Sequence, residues 1–206
     1  MAVERTRIRR LPEKAVLERA ALDAILDAGR VAHLAITADG QPYALPVGYA
    51  RDGDRVLVHG STGSRLFRAL AGGAPACLTV TLLDGLVLAR SAFESSMNYR
   101  SAMVLGRASV VDDQLGALRV LTEHLLPGRW AQLRAPHKRE LAATLVLAMP
   151  LDEWSVKVSD GPPDDAEEDL GEPVWAGVVP VVESYGPPVA APGVDPRFAP
   201  PSWATP

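Results

Sequence analysis

Three of the chain's four Asp-Gly dipeptides, at residues 39–40, 52–53 and 84–85, each stand between runs of apolar and β-branched residues. Asp-Gly readily takes the positive φ angles that tight hairpins need, so a chain punctuated this way folds back on itself as antiparallel strands. Val31–Thr37 and Pro42–Ala50 are predicted to pair around Asp39-Gly40, and Arg55–His59 to join them around Asp52-Gly53. Pro75–Leu83 and Leu86–Ala92 flank the third dipeptide. Tyr99–Val111 is a further extended run in which Gly106 predicts a bulge or a barrel bend. Thr144–Met149 reads as a last core strand that Glu153–Val158 continues. Six or more strands on short links predict a mainly β fold, a small antiparallel β-barrel with peripheral helices, whose closure leaves no edge to protect.

The helices are few. Val16, Leu17, Ala20, Ala21, Ala24, Ile25 and Ala28 recur at helical spacing and Gly29 follows, which predicts a helix over Pro12–Ala28. Asp112-Asp113 is placed to cap a second helix with a Leu115, Leu118, Leu121, Leu125 stripe, and a short one is predicted near His137–Ala143. At 206 residues the chain suits one barrel domain over residues 1–160. An acidic linker (161–172), an apolar docking segment (173–185) and a proline-rich tail expected to be disordered (186–206) follow it.

Several function classes are excluded. A formal net charge of -4 and the lack of a basic stripe exclude nucleic acid as a partner. No apolar run reaches the roughly 18 residues of a membrane helix, and no apolar stretch follows the Arg5, Arg7, Arg9, Arg10 cluster as in a signal peptide. The expectation is therefore a soluble, cytoplasmic protein. His33, His59, His124 and His137 show no zinc spacing and Cys77 stands alone, so no metal site is expected. The chain lacks a nucleophile elbow, a P-loop and a dinucleotide glycine fingerprint, and no catalytic residue is assigned.

Two stretches carry chemical character. The first is an apolar strand, Val56-Leu57-Val58, that runs through His59-Gly60-Ser61-Thr62-Gly63-Ser64-Arg65 into an amphipathic helix start with Arg68 three residues on. Unpaired N–H groups, hydroxyl donors and two cations on one helix face suit a phosphate. The same residues also describe an ordinary N-cap beside surface arginines. The second is Asn98-Tyr99-Arg100-Ser101, which puts an amide, a phenol, a guanidinium and a hydroxyl on one strand. That is either a lined cleft or an exposed strand end.

Taken in order, Leu45-Pro46-Val47-Gly48-Tyr49, His59-Gly60-Ser61 with Ser64-Arg65, Asp84-Gly85-Leu86-Val87, Asn98–Ser101 with Gly106, and Val174–Pro180 resemble the flavin-nucleotide-binding branch of the pyridoxamine 5′-phosphate oxidase-related family, to which nitroimidazole-resistance-type proteins are similar. The resemblance runs from about residue 10 to residue 182. It implies a split β-barrel of the FMN-binding type and a homodimer with FMN at the interface. It also implies that Pro46, Val47, Gly48 and Tyr49 line the flavin and that His59, Gly60, Ser61, Ser64 and Arg65 hold its phosphate. Asn98, Tyr99, Arg100 and Ser101 would approach the ring or phosphate, with Arg100 the cation near the reducible ring, and Lys157 and Trp175 would close the site from the partner subunit. Ser95 stands where relatives often carry a histidine. The implied activity is FMN-dependent oxidoreduction of a small molecule with a reduced nicotinamide. A non-catalytic flavin carrier or sensor, or a split barrel using deazaflavin or haem, are the alternatives.

Overall fold

The computed structural model describes residues 4–204, so the last two residues of the proline-rich tail lie outside the described residues. In chain order the elements are β1 (Ala15–Val16), α1 (Arg19–Ala28), β2 (Val31–Ala38), β3 (Gln41–Asp52), β4 (Arg55–Ser61), α2 (Arg65–Ala71), β5 (Pro75–Leu88), β6 (Ser96–Arg107), β7 (Ser109–Val110), α3 (Gln114–Leu125), α4 (Lys138–Ala142), β8 (Thr144–Pro150), β9 (Glu153–Ser159) and β10 (Gly177–Pro180). The strands form one antiparallel sheet in the order β1-β9-β6-β5-β2-β3-β4-β8-β7, with β10 laid against β5. The fold is mainly β, and the sheet curls around a core without closing.

Two of the Asp-Gly dipeptides behave as hairpin turns. Asp39 and Gly40 take φ of 53° and 76° between β2 and β3, and Gly53 takes 60° between β3 and β4. The third does not turn the chain. β5 runs straight through it, with a register shift between Leu83 and Gly85. The reason is β10. A side chain on Gly85 would meet Val178 Cγ1 at 3.0 Å and the Val179 carbonyl at 3.2 Å, so the glycine provides clearance for a neighbouring strand rather than a turn. Gly106 acts similarly: the β5–β6 register is unbroken at Ala76–Gly106, and a Cβ there would meet Met149 at 3.1 Å.

Other differences have equally local causes. The first helix begins at Arg19, not Pro12, because Ala15 and Val16 pair with Lys157 and Val156. β9 does not extend β8: the chain crosses at Leu151–Asp152 from the β4 side of the sheet to the β6 side. Alternation in β2 sends Ala32, Leu34 and Ile36 into the main core with Leu22, Ile25, Leu26, Val56, Val58, Leu78, Val80 and Leu147. A smaller core lies on the other face, where α3 covers Ala50, Leu57, Val146 and Ala148 through Ala117 and Leu121. Each fully buried Val, Leu or Ile side chain contributes roughly 1.5–3 kcal/mol.

The acidic stretch after β9 is tied down. The Asp165 side chain, 4% exposed, accepts the Arg90 backbone N–H and its guanidinium, both at 2.6 Å, and Arg90 holds its carboxyl below the usual range. Asp165→Ala should therefore speed limited proteolysis between residues 161 and 180 while leaving the barrel's melting transition in place.

Candidate functional site

β3 is longer than its neighbour on one side. It pairs with β2 along residues 41–48, but with β4 only from the Tyr49–Val58 pair to Asp52–Arg55. Residues 41–48 thus have an open edge, and β4 veers away to pair with β8 up to Ser61–Thr144. Between that edge and the start of α2 lies a hollow of about 240 Å³, lined by Ile36, Tyr43, Leu45, Ser64, Arg65 and Leu66. This is the split.

Sequence decides what the open edge offers. Pro42 and Pro46 lack an N–H, so a ladder with β2 loses nothing only if these residues turn their backbone groups away from it. The alternation then directs Pro42, Ala44, Pro46 and Gly48 to the split, where they present four carbonyls and just two N–H donors, those of Ala44 and Gly48.

Facing this edge, Ser64 caps α2, its hydroxyl accepting from Phe67 N–H at 3.5 Å, and the Ser61 hydroxyl accepts from Gly63 N–H at 3.1 Å. Gly60 is needed for packing: a Cβ there would come within 2.3 Å of the Phe67 ring, so the bare strand lets Phe67 fold back and anchor α2. Arg65 is held over Tyr43, with a 2.9 Å bond from its guanidinium to the phenol oxygen and 5.4 Å to the ring centroid. Arg68 is exposed on the same helix face. Among the described residues no carboxylate pairs with either arginine. The sequence contains no Asp or Glu between Asp54 and Asp84, whereas most other arginines are paired with acids. That absence is a signal the sequence carried and motif reading missed.

The other site candidates are placed as follows. Pro46 and Gly48 lie on the exposed face of the split. Val47 packs partly against the core, and Tyr49 is fully buried with its hydroxyl on the Leu26 carbonyl at 2.8 Å, so its side chain supports the strand from below. His59 is on the outer face next to Val146, and desolvation by its surroundings lowers its pKa. Asn98, Tyr99, Arg100 and Ser101 are on β6, separated from β3 by β5 and β2, roughly 14 Å away by strand spacing. Strand alternation also divides them. Arg100 lies on the core-side end, where it makes a bidentate pair with Asp84 at 2.7 and 2.9 Å that holds the Asp84 carboxyl below its usual range. Asn98 donates to the Gly161 carbonyl at 2.9 Å, and Lys157 to that of Arg10 at 3.2 Å. Trp175 is 65% exposed, its ring lying over Gly177. Within one chain, the β3–α2 set and the β6–β9–β10 set therefore form two separate groups.

The sequence profile of the pyridoxamine 5′-phosphate oxidase family matches residues 18–158. The chain belongs to this family. Two solved structures are similar to it over nearly the whole chain. The FAD and haem binding protein from Mycobacterium smegmatis is 49% identical, with 92% of this chain and 94% of that one covered at a TM-score of 0.88. The flavocytochrome Anf3 from Azotobacter vinelandii is 41% identical, with 98% and 95% covered at 0.91. A putative 5-nitroimidazole antibiotic resistance protein from Bacteroides thetaiotaomicron shares the fold at 20% identity, over 70% of this chain and 86% of that one, with a TM-score of 0.59. No curated protein matches. Among the described residues no helix is long and apolar enough to cross a membrane, and no group of three or more His, Cys, Asp or Glu side chains is placed to hold a metal ion.

Proposed function

We propose that this member of the pyridoxamine 5′-phosphate oxidase family is a flavin- and haem-binding oxidoreductase, with FAD as its flavin. The observation that carries the reading is the split: an open edge of carbonyls and two N–H donors faces two arginines in a carboxylate-free segment. A flavin's imide edge is a donor between two acceptors; the Pro46 carbonyl is available to accept its N–H and the adjacent Gly48 N–H to serve one of its carbonyl oxygens. Its phosphate suits Arg65, Arg68 and the hydroxyls of Ser61 and Thr62. When bound, the flavin supplies hydride acceptance from a reduced nicotinamide and release of electrons to a second carrier.

FAD is preferred to FMN because of the likeness to the M. smegmatis protein. That likeness and the one to the flavocytochrome also support haem. The chain's histidines fit such a group. His124 is committed to the Gly29 carbonyl at 2.8 Å, but His33 and His59 make no hydrogen bond among the described residues and are free to ligate. The separation of the two residue groups supports a homodimer in which β6, Lys157 and Trp175 of a second copy complete the site over the first copy's split.

The test is the absorption spectrum of the purified protein, followed by chromatography and mass analysis of the released flavin. A flavin band with a Soret band, bleached or shifted by NADH or NADPH, is expected. Purified protein that takes up neither flavin nor haem would refute the reading.

A further inference from the structure

Resting on the reading of the protein as an oxidoreductase fed by a reduced nicotinamide, we infer that the outer face of β9 and β6 carries an anion site. It is built on Lys14 and Lys157, takes the 2′-phosphate of NADPH and selects that nucleotide over NADH. Register puts the residues together. Lys157 stands directly opposite Ser101, Ser101 opposite Thr81, and Ser159 opposite Tyr99, so these side chains leave the sheet on one side. Val156, Ala102 and Val80, one residue along each strand, are 1% exposed in the core, which makes that side the outer one. The segment before β1 folds back along β9. There the Lys14 ammonium donates to the Ser159 hydroxyl at 2.9 Å and the Lys157 ammonium to the Arg10 carbonyl at 3.2 Å. Ser159 is buried and both lysines are half-buried.

The two cations are fixed in place and lack a counter-charge. Among the described residues neither lysine pairs with a carboxylate. Glu153, on the same strand face, is taken by a two-point contact with Arg5, and Glu13 and Asp160 are exposed. Partial burial strips water from an ammonium, a cost that an anionic ligand recovers. The donors around the lysines suit a phosphate monoester. β6 is hydrogen-bonded on both sides, so its backbone has no N–H groups to cradle a pyrophosphate as a glycine-rich turn does. What remains are side chains within about two strand spacings, roughly 10 Å. The Tyr99 and Thr81 hydroxyls make no hydrogen bond among the described residues, and that of Ser101 reaches the Lys157 carbonyl only at 3.5 Å. A phosphate monoester carries about 1.5–2 negative charges at neutral pH and three acceptor oxygens, which two ammoniums and these hydroxyls match. NADH lacks that group. In the homodimer reading this face of the second copy lies over the first copy's split, where an electron donor approaches the flavin.

The experiment titrates the full-length protein, as purified, with adenosine 2′,5′-bisphosphate and with 5′-AMP by calorimetry, and compares kcat/KM for NADPH and NADH with a quinone acceptor. The bisphosphate should bind at least tenfold tighter than AMP, and its affinity should fall as salt rises. Lys14→Gln should weaken bisphosphate binding about tenfold and cut the NADPH preference in kcat/KM by a similar factor, the effect of losing one charge-assisted bond. Lys14→Arg, which keeps the charge, should retain the preference. Should Lys14→Gln loosen the N-terminal segment, Ser101→Glu answers instead: it leaves both lysines in place, sets a carboxylate directly opposite Lys157 and should abolish the distinction between bisphosphate and AMP. Equal binding of bisphosphate and AMP to the wild-type protein, or an unchanged preference in both Lys14→Gln and Ser101→Glu, would overturn the assignment. Loss of flavin from these variants with the preference intact would also overturn it and give the cations to the flavin's own phosphates. Wild-type protein that discriminates the bisphosphate from AMP yet takes up no flavin would support the anion site while refuting the oxidoreductase reading.

Discussion

Arg65→Ala is expected to weaken flavin binding about ten- to a hundredfold, and Arg68→Ala distinctly less. A hydrogen bond to a charged group is worth about 1.5–3 kcal/mol, and each 1.4 kcal/mol is tenfold in affinity. The difference between the two arginines comes from preparation. Arg65 is held by the Tyr43 hydroxyl and lies over the Tyr43 ring before any ligand arrives, so little rotamer freedom remains to be lost. Arg68, one turn along and exposed, must be ordered by the ligand itself. Quenching of flavin fluorescence on titration into flavin-free protein measures both. Equal losses, or none, would return Ser64 and Arg65 to the role of a helix cap beside a surface cation.

The second large effect concerns stability. Gly60→Ala should destabilise the fold by about 1–3 kcal/mol, the range expected when a close-packed contact is forced apart. The added methyl would stand 2.3–2.4 Å from the Phe67 ring, a rigid group with the Leu66, Leu70 core behind it. Because Phe67 anchors α2, the arginines move with it, and flavin affinity should fall alongside the melting temperature. A double-mutant cycle separates the cause. With Phe67→Leu the methyl has room, so the further cost of Gly60→Ala should largely disappear. A full, additive cost in that background would show that Gly60 matters for its backbone and not for the space it leaves.

Much of this was legible in the residues. Asp39-Gly40 and Asp52-Gly53 specified their hairpins because a positive φ at a two-residue link leaves the chain little choice. The Ser64 cap and the Asp113 cap were likewise written locally, in side chains that bond to the turn just ahead of them. What could not be read were contacts between distant segments. Asp84-Gly85 has the composition of a turn, and only the approach of residues 177–180 makes it a bulge. Tyr49 belongs to a motif that lines a ligand, yet its side chain alternates into the core, where burial raises its pKa. Asn98–Ser101 appeared as one functional patch in one dimension, and the pleat sends its members to opposite faces. Arg100 looked like a free cation because its partner, Asp84, is 16 residues away.

The two prolines of β3 also bear on how the protein avoids sticking to others. An unpaired strand edge is ordinarily a template for foreign strands and a starting point for aggregation. With Pro42 and Pro46 spaced four apart on the side that faces the split, an incoming chain would find a ladder with half its donors missing. The slot can therefore stay open before any ligand fills it, and the same two rings that shape the recognition edge keep it from being zipped shut.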